Sequence, residues 1–205
     1  MAVLEEPTFC TFAEYVALER ESDTKHELIN GQLYAMAGGS IEHGRLAMRM
    51  GWAMRVALGK RPCEVLSSDV RVRVQETGLV TYPDLSVVCG RIEADPQDKH
   101  TITNPIVLVE VLSDSTSQYD RGEKLAHYRR IPSLRDYLLV DQKKAWIEHY
   151  ARNDDGSWTL RDVRPPEKVR LTNGAEIDVA EVYENLLGPT STPGDSGAEE
   201  PDGGV

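Results

Sequence analysis

Cysteine, aromatic side chains and positive charge are all scarce in this sequence, and each scarcity excludes something. Cys10, Cys63 and Cys89 are the only cysteines in 205 residues, far apart and in no CxxC arrangement. That pattern gives no zinc site and suits reduced thiols in a reducing compartment, with Cys89 inside an apolar run as a small core residue. Aromatic residues make up 6% of the chain, too few to favour an aromatic-lined sugar cleft. The N-terminus carries Glu5 and Glu6 without a basic region or an apolar core, and the longest apolar run, Ile106 to Leu112, is interrupted by Glu110. Secretion and membrane spanning are both disfavoured, and the expected location is the cytoplasm. A formal net charge of -11 argues against a general-purpose nucleic-acid coat, because phosphate binding leans on clustered Lys and Arg.

What is present reads as one folded domain over residues 1–187, followed by an acidic tail. From Gly188 onward only Val205 is a large apolar residue, and Asp195, Glu199, Glu200 and Asp202 are unaccompanied by any base. Such a stretch buries too little surface to fold and is expected to be disordered. Three local basic stretches stand out against the acidic whole: Arg45, Arg49, Arg55, Lys60 and Arg61; Arg71 and Arg73; and Arg129, Arg130 and Arg135. Each reads most simply as a solvated face, and the first two could also position phosphates without reading sequence.

Local signals outline an α/β (α+β) fold with a mixed sheet and helices packed against it. Thr11 and Glu14 make a capping box before a short amphipathic helix. Asn30-Gly31 sits between two apolar-containing arms, a strong hairpin signal, and Glu27 lies on the first arm. Ile41, Ala47, Met50, Met54, Ala57 and Leu58 recur at helical spacing up to Gly59, which places His43 in the first turn of that helix. "CEVLS", the alternating "VRVRV" and "DLSVVC" read as strands, Gly90 to Asn104 as a polar loop, and "IVLVEVL" as a strand buried on both faces. Asp120 and Glu123 form a capping pair for a helix through Leu125, Tyr128 and Ile131, and "DYLLVD", "AWIEHY" and "SWTLRDV" follow as strands.

Two acids sit where burial should penalise them. Asp84 opens "DLSVV", and alternation puts Glu110 on the same face of its strand as Ile106, Leu108 and Leu112. A buried ionised carboxylate needs a cation, a metal or a proton. If the two strands are neighbours, Asp84 and Glu110 lie close together and repel, which a hard divalent cation such as magnesium or manganese relieves. Lys124, fourteen residues after Glu110 and on the following helix, can fold back over the strand end, where its ammonium would support an attacking water or the charge on a phosphate. The plainer alternatives are a salt-bridged strand glutamate, and a helix-surface lysine paired with Asp120 at i,i+4. Tyr128 reads as a packing aromatic with its hydroxyl at the site edge, while His26, His100, His127 and His149 show no metal-ligand spacing.

Taken in order, "KHELINGQLYAMAGGSIEHGRL", "YPDLSVV", "VLVEVLSDSTSQYDRGEKLAHYRR", "LRDYLLVD" and "WIEHY" resemble the segments of the Uma-two family of restriction-endonuclease-like proteins, a bacterial branch of the PD-(D/E)XK nuclease superfamily. The resemblance runs from about Phe12 to about Leu187. It implies a central mixed sheet flanked by helices, with Asp84 (after Pro83) and Glu110 as metal ligands, and with Glu27 and His43 at the family's glutamate and histidine positions. The superfamily's usual lysine, two residues after the acid, is replaced here by Leu112, and the resemblance implies that Lys124 of "DRGEK" has taken its place.

The expected function is therefore magnesium- or manganese-dependent hydrolysis of DNA phosphodiester bonds, with Lys124, Glu27 and His43 in catalytic roles. A nuclease-fold protein that no longer cuts and serves as a DNA-binding or assembly module is the alternative. A carbohydrate-acting acid pair would lack a metal requirement. DNA is the expected partner, membranes are not, and a homodimer is expected by fold analogy alone.

Overall fold

Thr11 starts the first helix as its sequence suggests. The Glu14 N–H donates to Thr11 Oγ1 at 3.3 Å and the Thr11 N–H donates to Glu14 Oε2 at 2.8 Å, closing the capping box of α1 (Phe12–Glu21). The computed structural model describes residues 9–186, so the tail expected from Gly188 lies outside the described residues. Strands β1 (His26–Ile29) and β2 (Gln32–Ala35) follow, joined by Asn30 and Gly31 at φ 52° and 80°, the left-handed pair that a tight hairpin demands. Helix α2 (Ile41–Leu58) is capped by Ser40, which accepts from the His43 N–H at 3.1 Å, and ends at Gly59 with φ 58°. Its inner stripe of Leu46, Met50, Met54 and Leu58 repeats every four residues and is buried.

The chain continues through β3 (Cys63–Ser67), β4 (Arg71–Arg73), β5 (Val80–Thr81) and β6 (Leu85–Cys89). The stretch expected as a polar loop folds instead into β7 (Ala94–Asp95) and β8 (Asp98–Ile102). Its polar residues mislead because they pair inward: Asp95 meets Arg73 at 2.9 Å and Asp98 meets Arg71 at 2.8 Å. Arg71 and Arg73 do face away from the valines of their strand, as alternation requires, yet Arg71 is buried and Arg73 half-buried. They are bound to carboxylates and are not free to hold phosphate.

After β9 (Val107–Leu112) comes one helical run in three windings: α3 (Ser117–Tyr119), a π-helical segment (Asp120–Lys124) and α4 (Leu125–Tyr128). Asp120 is thus inside the helix rather than its cap. β10 (Asp136–Asp141), β11 (Ile147–Arg152), β12 (Trp158–Val163), β13 (Lys168–Arg170), β14 (Glu176–Asp178) and α5 (Val179–Tyr183) complete the described fold.

The fold is mixed α+β, with its strands divided among two six-stranded sheets, ordered β2-β1-β5-β4-β8-β7 and β12-β11-β10-β9-β6-β3, and a small β13-β14 pair. β9 is interior to the second sheet, parallel to β10 and antiparallel to β6, and all six of its residues are buried. Val107, Val109 and Val111 pack toward α2, while Leu108 and Leu112 share a core with Leu125, Tyr128, Val72 and Val74. This two-sided burial is why the strand reads as an unbroken apolar run. Truncating one of its central side chains, such as Val109→Ala, removes contacts on a face with no room to relax and should cost about 2 kcal/mol.

Cys63 and Cys89 stand directly opposite each other in β3 and β6 and are joined by a disulfide, which corrects the expectation of separate reduced thiols. Cross-strand register, invisible in a 26-residue separation, brings them together. The thiol argument for a reducing compartment goes with it. Among the described residues no helix is long and apolar enough to cross a membrane.

Candidate active site

The register of β6 against β9 brings the two acids together. Leu85 pairs with Val109 and Ser86 with Leu108, so the residue before Leu85 comes level with Glu110. There the ladder stops: Pro83 carries no N–H, and the Asp84 carboxylate accepts from the Val111 N–H at 2.7 Å in place of a backbone partner. Asp84 Oδ2 also lies 3.2 Å from His43 Nε2, which reaches it from the first turn of α2. Glu110 projects from the other face of β9 toward the π-helical segment, where Lys124 Nζ stands 2.9 Å from Glu110 Oε1, 3.4 Å from Glu27 Oε1 and 3.7 Å from Asp120 Oδ1. The Tyr128 hydroxyl donates to Glu110 Oε1 at 2.7 Å, and the Thr81 hydroxyl donates to Glu27.

The wider winding over Asp120–Lys124 has a local consequence: both its terminal residues, acid and lysine, turn inward and are buried. Such windings recur at functional sites. Glu27, His43, Asp84, Glu110 and Lys124 all line one cavity of about 1040 Å³ together with Asp120, so every site residue expected from the sequence comes to the same place. Asp120, read as a helix cap, and Thr81 were missed. The one signal for Asp120 was its i,i+4 spacing to Lys124.

Charge in this cavity does not balance. At its centre four carboxylates (Glu27, Asp84, Glu110 and Asp120) face two side chains able to be cations, Lys124 and His43, which leaves a formal -2 when all are ionised, and the rest of the lining, Asp23, Asp114 and Asp141 against Lys25, Arg121 and Lys143, does not change it. Glu110 and Lys124 are each only 5% exposed, so the imbalance is not dispersed by water. Burial pushes the Glu110 carboxyl up to about 8 against the pull of the Lys124 ammonium, and burial raises Asp120 as well. For Lys124 burial acts downward, but Glu110, Glu27 and Asp120 together outweigh it and hold the ammonium charged well above its ordinary range. The hydrogen bond to Asp84 raises His43, with burial opposing. The cluster thus keeps its lysine charged and retains a proton on its acids, the response of a site short of cations.

Among the described residues no three or more His, Cys, Asp or Glu side chains close into a metal-holding set. The donor chemistry, carboxylates opening onto a cavity, is of the kind that suits a hard divalent cation completed by waters and phosphate oxygens. Two histidines outside the cavity are tied into the fold: His149 Nε2 lies 2.8 Å from Asp136 in the buried sheet, and His26 Nδ1 lies 2.9 Å from Glu19.

Residues 12–180 match the family model of Uma2, described as "Putative restriction endonuclease". Two uncharacterized proteins of Synechocystis sp. are similar over most of their length. The protein slr1290 is 37% identical over 177 residues, covering 84% of this chain and 90% of the relative. The protein sll1609 is 33% identical over 163 residues, covering 80% and 92%. Among solved structures, the crystal structure of a "putative nuclease belonging to DUF820" from Anabaena variabilis superposes with a TM-score of 0.65 at 17% identity, covering 81% of this chain and 93% of that one.

Proposed function

Since this chain belongs to the Uma2 family, we propose that it is a divalent-metal-dependent endonuclease that hydrolyses phosphodiester bonds in DNA. The observation that carries the reading is the surplus of negative charge in the cavity, two carboxylates beyond what Lys124 and His43 neutralise, which a divalent cation matches in sign and size. Asp84 and Glu110, with the backbone carbonyl next to Glu110, would hold magnesium or manganese. When bound, such an ion supplies positive charge at the scissile phosphate and a water acidic enough to attack near neutral pH.

The protein's own groups have separable tasks. Lys124, held charged, serves as a donor that orients the attacking water or steadies the phosphate oxygens, and does not act as a proton-abstracting base. Glu27 fixes the lysine from the far side while itself held by Thr81. His43 and the Val111 N–H clamp one oxygen of Asp84, leaving its other oxygen to face the cavity. Tyr128 does the same for Glu110 Oε1. Pairing of two copies, so that two sites reach two strands, is the arrangement that fold analogy suggests.

A second reading, a nuclease-fold module that binds DNA or an assembly partner without cutting, is favoured by one feature: Glu110 Oε1 is already taken by Tyr128 and Lys124. Plasmid nicking with magnesium or manganese separates the two. Nicking by the wild type that disappears in Asp84→Ala and in Glu110→Ala is the expected result. Activity that persists in both single variants overturns the assignment, and metal binding without any nicking favours the module.

A further inference from the structure

Three aromatic side chains are exposed among the described residues, Phe9, Tyr34 and Trp52, and of these Tyr34 alone lines the cavity. Its place follows from the hairpin. β1 and β2 pair with Leu28 opposite Leu33 and Glu27 opposite Tyr34, and residues directly opposite in an antiparallel pair project from the same face, with Cβ atoms about 5 Å apart. Leu28 and Leu33 pack with Phe12, Tyr15 and Val16 of α1, so Glu27 and Tyr34 point the other way, into the cavity. β2 is the outermost strand of its sheet, and the Tyr34 side chain remains 49% exposed. The Tyr34 hydroxyl donates to Gln32 Oε1 at 2.8 Å, two residues back on the same strand face. The ring is therefore held in place with its polar end already engaged, and its apolar face is what it has left to offer.

The charged groups beside that ring lie deep. Glu110 and Lys124 are nearly closed to solvent, at the bottom of a cavity whose volume of about 1040 Å³ is that of a sphere about 12 to 13 Å across, whereas the major groove alone of a DNA duplex is about 12 Å wide. A continuous duplex, with two strands and both grooves, is too broad to enter. A single strand can, and so can a nucleotide turned out of its stack. Such a nucleotide gives up its contacts with neighbouring bases, and an aromatic ring replaces them whatever the base, because every base has a π-face.

We propose that Tyr34 stacks on an unpaired nucleobase next to the phosphate that reaches Lys124 and the acids, so that the protein takes single-stranded or locally opened DNA in preference to continuous duplex. The inference rests on the nuclease reading and names the form of substrate that site accepts. Supercoiled plasmid remains a substrate, since negative supercoiling favours strand opening.

Binding tests the inference without requiring hydrolysis. Fluorescence anisotropy, with calcium as the hard oxygen-ligated cation in place of magnesium, would compare a labelled oligothymidylate, an abasic oligomer of the same length and a continuous duplex. The wild type should bind the oligothymidylate about tenfold or more tighter than the duplex. Tyr34→Ala should lose about tenfold on the oligothymidylate, as removal of a stacking ring does, and almost nothing on the abasic oligomer. Tyr34→Phe should bind as the wild type does. Tyr34→Leu should bind as weakly as the alanine variant, and because it keeps apolar bulk on β2 it separates stacking from hairpin stability. Trp52→Ala removes an exposed ring outside the cavity and should change none of these values. Tyr34→Ala and Tyr34→Leu variants that bind oligothymidylate as tightly as the wild type overturn the inference, as does an equal loss on the abasic oligomer or a wild type that prefers duplex. The nuclease reading fails separately: a wild type that binds as expected and nicks nothing removes the endonuclease and leaves the stacking site, while metal-dependent nicking with equal binding by wild type and Tyr34→Ala removes the stacking site alone.

Discussion

Two clusters of buried charge lie close together in this molecule, and they are built on opposite terms. Beneath α1, Arg71 meets Asp98 at 2.8 Å and Glu19 at 3.8 Å, Arg73 meets Asp95 at 2.9 Å, and His26 meets Glu19 at 2.9 Å. Arg20 lies 3.9 Å from Asp98 at the exposed edge, so the three acids are fully matched by basic side chains, and aromatic rings finish the enclosure: Arg73 stacks 3.7 Å from the Phe12 ring centre, and Arg71 lies 5.9 Å from those of Tyr15 and Tyr82. Across Tyr82, which lines the cavity, four carboxylates share Lys124 and His43 and open onto about 1040 Å³. A balanced, closed network holds elements together. An acid-rich, open one leaves carboxylates without a partner cation. Burial of charge is common to both, so it is the balance, and not the burial, that marks the site.

The comparison breaks most sharply at Asp84 and Glu110. Replacing either by alanine should lower DNA hydrolysis about 10³-fold or more, the scale on which preorganised charge acts at a reacting centre. Glu110→Gln, which removes surplus charge and keeps shape, should leave the melting temperature unchanged or raise it. Nicking rates and thermal melts on the same preparations check both statements, and a Glu110→Gln variant that unfolds would show the carboxylate to be structural.

Lys124→Met comes next. With the lysine gone the acids lose their central cation, so hydrolysis should fall about 10²-fold and stability by about 3–5 kcal/mol, as when one partner of a buried pair is removed. Adding Glu110→Gln to Lys124→Met should restore much of the stability and none of the activity, which urea unfolding of the single and double variants would read.

Arg71→Met sharpens the comparison from the other side. It breaks the balanced network and should cost about 3 kcal/mol, yet hydrolysis per folded molecule should stay as in the wild type. Loss of activity in a folded Arg71→Met variant would mean that the two clusters are coupled through Tyr82.

The smallest effect is on pH. Glu110 is raised from 4.5 to about 8, so between those values the folded protein holds a proton that the unfolded chain releases. Its contribution is therefore full below about 4.5, declines as pH rises toward about 8 and is flat beyond, with a slope of at most about 1.4 kcal/mol per pH unit. Urea midpoints in the metal-free protein should show that decline, and Glu110→Gln should remove it. A stability that rises across the same window in the wild type alone would reverse the assignment.

Much of the scaffold was legible in the chain because local physics specified it. The helical spacing through Met50, Met54 and Leu58 and the glycine at 59 bound α2, although Ile41 of that series faces outward; Asn30-Gly31 made its hairpin; "CEVLS" and "DYLLVD" became β3 and β10 without a shifted end. Asp84 and Glu110 were legible because a carboxylate in an apolar strand contradicts its surroundings. What escaped the sequence depended on register and on covering elements. Alternation separates Arg71 and Arg73 from their valines but does not say that α1 and β8 close over them. Asp120 and Glu123 have the spacing of a cap, yet the helix starts at Ser117 and winds wider through them, which no residue in "DRGEK" announces. The Cys63–Cys89 pairing and the hairpin within residues 90–104 likewise follow from which strands become neighbours.

The central claim, that the open cluster is short of a divalent cation, is tested most directly by calorimetric titration of manganese into the wild type and Glu110→Gln at two pH values below and near 8. The account predicts binding by the wild type that tightens as pH rises toward 8, where the metal no longer has to displace the Glu110 proton, and at least about tenfold weaker binding by the variant with a shallower pH dependence. No binding by the wild type, or equal binding by the two proteins, would contradict it.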